Sequence, residues 1–199
     1  MVRRFDISDK LIHFTGGGGE CTDDAFARLR AIIREGRLIA GSRMIRGGYR
    51  CVSFTEAPIA AFTPAFVSQF PFTRYSQFGL MFEKNWIYER GGRPVIYQPD
   101  SDFGLLPEDL RWRHVRFEPT GEHVVDWTWE REWRILCDEL AFTPAEATIV
   151  VPNEQWANEL RRVHDDDQDM IVELYAEAID QPIAEMWREK FPWRVVPLG

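Results

Sequence analysis

Cys51-Val52-Ser53-Phe54-Thr55 alternates in size and polarity, the period-two pattern of a strand with one face turned to a core. Pro58 then suits the first turn of a helix that runs to about Phe70. Upstream, Leu11-Ile12-His13-Phe14 reads as a short strand, and Gly16 to Gly19 cannot continue regular structure cheaply, so a loop must follow. A helix begins after it. Thr22 can cap it, Asp23 and Asp24 favour its positive end, and Phe26, Leu29, Ile32 and Ile33 recur at helical spacing until Gly36 supplies the stop.

Downstream, residues 78–82 and 94–97 read as strands joined through Lys84-Asn85-Trp86 and a Gly91-Gly92 turn. Glu132-Trp133-Arg134-Ile135-Leu136 and residues 147–151 are further strands; Pro152 ends the second, and Asn153 can cap the helix that follows. Helical segments near 170–179 and 183–190 and a last strand at 193–196 complete the chain. Helices are neither interleaved regularly with strands nor segregated from them, which predicts an α+β fold rather than a doubly wound parallel sheet. At 199 residues one domain is expected, its helical portion at about 153–191 packing on the β core. The Asp165-Asp166-Asp167 run with Asp169 lacks the glycine and spacing of an EF-hand and reads as a solvated turn.

Eight Trp and fourteen Phe mean that large flat side chains must supply much of the core. No stretch approaches the roughly 18 apolar residues that span a bilayer, and the N-terminal residues lack an apolar signal core, so a cytoplasmic protein without membrane contact is expected. Three widely spaced cysteines, Cys21, Cys51 and Cys137, fit a reducing compartment, and no CxxC points to a structural zinc. The net charge of −8 opposes wholesale binding to a phosphate backbone. It is uneven: residues 1–50 hold ten basic and six acidic side chains, and residues 51–199 hold fourteen and twenty-six. Arg28, Arg30, Arg34, Arg37, Arg43, Arg46 and Arg50 form a basic stretch that either faces an anionic ligand or coats a solvated helix.

Three segments join polar groups to strand-like neighbours: His13-Phe14-Thr15-Gly16, Ser53-Phe54-Thr55-Glu56 and Glu130-Arg131-Glu132-Trp133-Arg134. Period two puts Ser53 and Thr55 on one face, and likewise Glu130 with Glu132. Two carboxylates so placed, roughly 7 Å apart, repel unless cations or ligand hydroxyls satisfy them. Arg131 and Arg134 are close enough in sequence for a purely structural ion-pair network, and Ser53-Phe54-Thr55-Glu56 followed by Ala57-Pro58 can equally be the cap of the next helix.

The order His-x-Thr, a helix ending in Gly36-Arg37-Leu38, then Ser53-Phe54-Thr55-Glu56 and Glu130-x-Glu132-Trp133-Arg134, resembles the abortive phage-resistance family AbiGi. The resemblance covers about residues 11–137, including 75–82 and Arg93-Pro94-Val95-Ile96-Tyr97. More distantly the three motifs resemble the ADP-ribosyltransferase superfamily. That resemblance implies a split, mostly antiparallel β core that grips NAD as substrate, with no metal. It implies that His13 bonds the adenosine ribose, that the Thr15-Gly16 backbone lies near the nicotinamide amide, and that Ser53 and Thr55 support the site. Glu132, with Glu130 as the other candidate, is then the carboxylate at the nicotinamide ribose, and Tyr75 or Phe78 stacks on the nicotinamide ring. Arg28 or Arg34 is a candidate for the pyrophosphate. The acceptor is a protein, a nucleic acid, a small molecule or water.

The chemistry has its own logic. Cleaving nicotinamide from ribose develops an oxocarbenium-like cation, which a neighbouring carboxylate stabilises. All of this requires that the segment near position 13 and the acidic pair near 131 converge on a shared cleft. The alternative is an inactive, antitoxin-like or regulatory member of a phage-defence pair, whose acidic C-terminal two-thirds meets a basic partner protein. A glycosidase built on Glu130 and Glu132 is disfavoured because neighbours on one strand cannot flank a bond. A hydrolase using Cys51 or Ser53 lacks a nucleophile elbow or a paired His.

Overall fold

The computed structural model describes residues 7–15, 22–57 and 76–199; the expected glycine loop at 16–19, the helix from Pro58, Cys21 and Tyr75 lie outside the described residues. In chain order the elements are β1 (Lys10–Phe14), α1 (Thr22–Glu35), β2 (Arg37–Ile39), β3 (Cys51–Thr55), β4 (Gly79–Glu83), α2 (Lys84–Glu89), β5 (Arg93–Pro94) and β6 (Ile96–Gln98). They continue with β7 (His114–Arg116), β8 (Glu132–Leu136), β9 (Glu139–Ala141), β10 (Ala147–Val151), α3 (Glu154–Ala176), α4 (Gln181–Ala184) and β11 (Arg194–Pro197).

Seven strands form one sheet in the order β11-β10-β4-β1-β3-β8-β5, and the pairs β2-β9 and β6-β7 form two small ones. Within the large sheet every pairing is antiparallel except β10 with β11. That parallel pair needs a long crossover, which α3 supplies. The fold is therefore mixed α/β with a mostly antiparallel sheet, as the distribution of helices and strands predicts.

Register divides the sheet into two faces. Leu11 pairs with Phe82, His13 with Leu80 and Leu80 with Ile149, so these point one way, together with Val52, Phe54 and Ile135. Ala25, Phe26 and Leu29 of α1 and Ala157 and Leu160 of α3 close over them in the main core. Burying each such Leu, Ile or Phe contributes about 1.5–3 kcal/mol, so this helical face carries most of the stability. Phe26, Phe78 and Trp156 form an aromatic cluster there with ring centroids 4.8–5.7 Å apart. On the other face Val150, Ala57 and Leu198 form a smaller cluster with Phe14 and Met81.

Local chemistry explains the boundaries. Gly36 stops α1 at φ +63°, a conformation that costs other residues, and donates its N–H to Ile32 O at 2.9 Å. Gly79 lets β4 and β1 approach closely, since a Cβ there would lie 2.7 Å from His13 O. The Asn153 side chain accepts the Trp156 N–H at 3.2 Å as α3 begins.

Several expectations need correction. Lys84-Asn85-Trp86 opens a short helix rather than a connector. Residues 94–97 divide between β5 and β6, which belong to different sheets. The Asp165-Asp166-Asp167 run is inside α3, a single 23-residue helix that absorbs most of the separate segment expected at 170–179. A helix tolerates that run because Arg162 pairs with Asp166 at 2.5 Å and Arg188 with Asp169 at 2.5 Å. No helix among the described residues is long and apolar enough to cross a membrane.

Candidate functional site

The second and third motifs are neighbours in space. β3 and β8 pair antiparallel with Ser53 opposite Arg134, Phe54 opposite Trp133 and Thr55 opposite Glu132. Alternation therefore sends Ser53, Thr55, Glu132 and Arg134 to one face and Phe54 and Trp133 to the helical face. There Trp133 Nε1 donates to Glu56 Oε2 at 2.8 Å, and Lys84 Nζ reaches Glu56 Oε1 at 2.6 Å. Each motif thus spends half of its residues on the core and half on the opposite surface.

That opposite surface is roofed by the irregular segment between β6 and β8, and the two enclose a cavity of about 920 Å³. Ser53, Glu130, Glu132 and Arg134 line it from the sheet side, with Arg43, Met44 and Arg46 from the loop after β2 and with His114, Arg116 and Trp127 from the roof. The volume lies within the roughly 300–1,000 Å³ of small-molecule sites. Met44 (φ +68°) and Arg131 (φ +47°), the non-glycine residues with left-handed backbone among those described, both adjoin it: Met44 in its wall, Arg131 between Glu130 and Glu132. Such conformations cost about 1–3 kcal/mol each and gather at sites where geometry is put to use.

At the cavity's base Arg134 grips Glu132 with two bonds, Nε to Oε1 at 2.8 Å and Nη2 to Oε2 at 3.1 Å. Its Nη1 donates to the carbonyls of Trp112 at 2.9 Å and His114 at 3.0 Å, which ties the roof to the sheet. The Arg134 side chain is 5% exposed and that of Glu132 14%. Glu130 arrives differently from the period-two expectation. It ends a 3₁₀ turn at Thr128–Glu130, and the left-handed Arg131 breaks the alternation before β8 begins. Both carboxylates nevertheless line the cavity. Thr55 fixes the turn: its Oγ1 donates to Glu130 O at 2.6 Å and accepts from Ala57 N at 3.1 Å.

The Tyr97 hydroxyl accepts the Glu132 N–H at 3.0 Å and donates to Trp127 O at 3.2 Å, and burial pushes its pKa up to about 12. Other cations around the cavity are paired, Arg46 with Asp100 at 2.6 Å and Arg116 with Glu118, whereas Arg43 meets no carboxylate at ion-pair distance among the described residues.

His13 lies elsewhere. Its pairing with Leu80 puts it on the helical face, with its ring 6.0 Å from that of Phe54, so it and Glu132 stand on opposite faces of the sheet. Its Nδ1 is 2.8 Å from Ser53 O, and a carbonyl only accepts, so Nδ1 carries the proton. Burial lowers its pKa. His13, Thr15 and Arg28 line a separate hollow of about 280 Å³ against α1. Thr15 is committed to the fold, with N–H to Phe78 O at 2.8 Å, Oγ1 to the same oxygen at 3.2 Å, and Arg28 Nη1 on its carbonyl at 3.1 Å. Phe78 is core, 1% exposed. Gly16 and Tyr75 lie outside the described residues. Arg34 lines a third hollow, between α1 and α3.

Cys51 is buried, with its thiol pushed up to about 11, which opposes a thiolate nucleophile. No group of His, Cys, Asp or Glu among the described residues could hold a metal. Sequence reasoning missed His114 and Trp127, which line the cavity from a three-residue strand and an irregular stretch too short to show a period. It also missed the role of Tyr97, whose hydroxyl links Glu132 N–H to Trp127 O behind the cavity. No protein-family model, curated protein or solved structure matches this chain.

Proposed function

We propose that this chain is an ADP-ribosyltransferase-like protein of phage defence that acts in the cytoplasm, binds NAD in the 920 Å³ cavity and passes ADP-ribose to an acceptor. The observation that carries this reading is the convergence of Ser53, Glu130 and Glu132 on one cavity flanked by two strained residues and lined by arginines. Arg43 is the cation best placed for a pyrophosphate, and Trp127 offers a planar wall. A split antiparallel core of the ADP-ribosyltransferase kind belongs to the same proposal.

In the reaction the bond between ribose C1′ and the nicotinamide nitrogen breaks, and nicotinamide leaves with the bonding pair. C1′ takes on oxocarbenium character and receives a lone pair from the acceptor, which then releases a proton. Glu132 and Glu130 supply negative charge beside that cation. The shared cleft expected for the segment near position 13 and the acidic pair does not form, since His13 and Thr15 line a different hollow from Glu130 and Glu132. This reading therefore rests on the Ser53, Glu130 and Glu132 side of the sheet alone, and His13 takes no part in ribose contact but bonds the Ser53 carbonyl from behind.

One observation favours a second reading, a nucleotide-binding regulatory partner without turnover: both oxygens of Glu132 are already engaged by Arg134. Incubating the purified protein with NAD and cell extract, while following melting temperature and nicotinamide, separates the two. Nicotinamide release supports the transferase, and a melting shift without release supports the binding partner. Neither a shift nor release removes NAD from the account.

A further inference from the structure

Eight of the sixteen large hydrophobic side chains that stand exposed among the described residues lie between positions 170 and 187. They form one stripe. Met170, Ile171, Leu174 and Tyr175 recur at i, i+1, i+4 and i+5 along the last turns of α3, while Val172 alone turns inward at 4% exposed. Tyr175 stacks on Trp187, centroids 6.3 Å apart at 28°, which continues the stripe onto the α4 segment and Met186, 83% exposed. Single exposed apolar residues are ordinary, but a contiguous set rimmed by charge marks a binding surface.

The rim identifies the occupant. Residues 165–189 contain nine acidic side chains and one basic, a net of −8, which is the formal charge of the whole chain; the other residues balance at 23 acidic and 23 basic. Glu173, Glu177 and Asp180 have no ion-pair partner among the described residues. Arg162 and Arg30, outside that stretch, pair with Asp166 and Asp167 and bring its net to −6 (−8 plus two). A second copy docking here by twofold symmetry would still set negative against negative, and an anionic lipid surface would be repelled in the same way. A cationic surface alone would leave the stripe wet. We infer that the α3–α4 face is a docking surface for a basic amphipathic helix of another protein, its apolar side on the Met170–Trp187 stripe and its Lys or Arg residues on the acidic rim. Methionines at both ends of the stripe suit it to a helix of irregular relief.

The full chain is titrated with a synthetic Lys/Leu amphipathic helix of about 18 residues, or five turns, and with three controls. These are a scrambled Lys/Leu peptide without helical period, a Glu/Leu helix of the same pattern, and phosphatidylglycerol vesicles. The Lys/Leu helix is expected to bind and to lose about ten-fold in affinity between low and high salt, where screening removes the rim's contribution. Binding is expected to weaken about ten-fold in Met170→Ser/Leu174→Ser/Met186→Ser, which removes apolar contact and keeps every charge. Hydrogen exchange on the wild-type chain reads the same site without a variant, through protection of 170–187 by the Lys/Leu helix.

Equal binding of the scrambled peptide, binding of the vesicles, unchanged affinity in the triple variant, protection elsewhere, or a dimer by sedimentation that the triple variant dissociates would each overturn the inference.

Discussion

Arg134 and Glu132, two residues apart on one strand, form a bidentate ion pair with both side chains largely withdrawn from water, and the same guanidinium also holds two roof carbonyls. Breaking such a pair from one side leaves an uncompensated buried charge, whereas removing both partners does not. Arg134→Met is therefore expected to cost about 3–5 kcal/mol in urea unfolding, with Glu132→Met/Arg134→Met recovering most of it. Additive losses in that cycle would show that the two side chains act independently.

The pair also governs how loss of activity is read. Glu132→Gln keeps the shape but removes the charge that Arg134 faces, so its nicotinamide release must be compared at a temperature where the variant is folded. Under the transferase reading release falls at least about a hundred-fold while circular dichroism is unchanged. Retained release would remove Glu132 from the chemistry.

Glu56 supplies a contrast from the opposite face. Its carboxylate holds Lys84 and the Trp133 indole, so Glu56→Ala strands a donor and a cation at a half-buried site. A loss of about 1–3 kcal/mol is expected. NAD-induced melting shifts should stay at the wild-type size, because none of these atoms reaches the 920 Å³ cavity. A lost shift with intact stability would mean that the ligand sits on the helical face instead.

These contrasts mark how far the sequence could be read. Strand β3 was legible from its alternation in size and polarity and β10 from a β-branched run closed by Pro152, although both are buried on two faces of the sheet. Helix α1 was legible from its acidic first turn and the Gly36 stop, and the start of α3 from the Asn153 cap. Short two- and three-residue strands such as β2, β6 and β9 carry no usable period. At the site, period two brought Ser53 and Thr55 together but could not say which face of the sheet His13 would share, since that depends on the register between β1 and β3. It also failed at Glu130, where one left-handed residue reset the alternation.

His13 offers a pH test. Burial lowers its folded pKa below the ordinary 6.5, so between those values the unfolded chain binds a proton that the folded chain does not. Its contribution to stability is complete above about pH 6.5 and is lost as pH falls through the window beneath. His13→Asn keeps a donor near Nδ1 without titrating. The variant should flatten the fall in urea midpoint between about pH 7.5 and 5.5. An unchanged slope would assign that fall to other groups.

Thr55 tests whether the acidic turn must be held in place. Thr55→Val keeps the β-branched shape on the strand but removes the hydroxyl that donates to Glu130 O and accepts from Ala57 N. Each lost bond costs about 0.5–1.5 kcal/mol, so the fold survives with a lower melting temperature. The left-handed Arg131 beside the released turn can then relax, which withdraws Glu130 from the cavity wall. Isothermal titration with NAD should show affinity falling about ten-fold in Thr55→Val and much less in Thr148→Val, a strand threonine remote from the cavity. Equal small effects in both would mean that the ligand site does not depend on the turn.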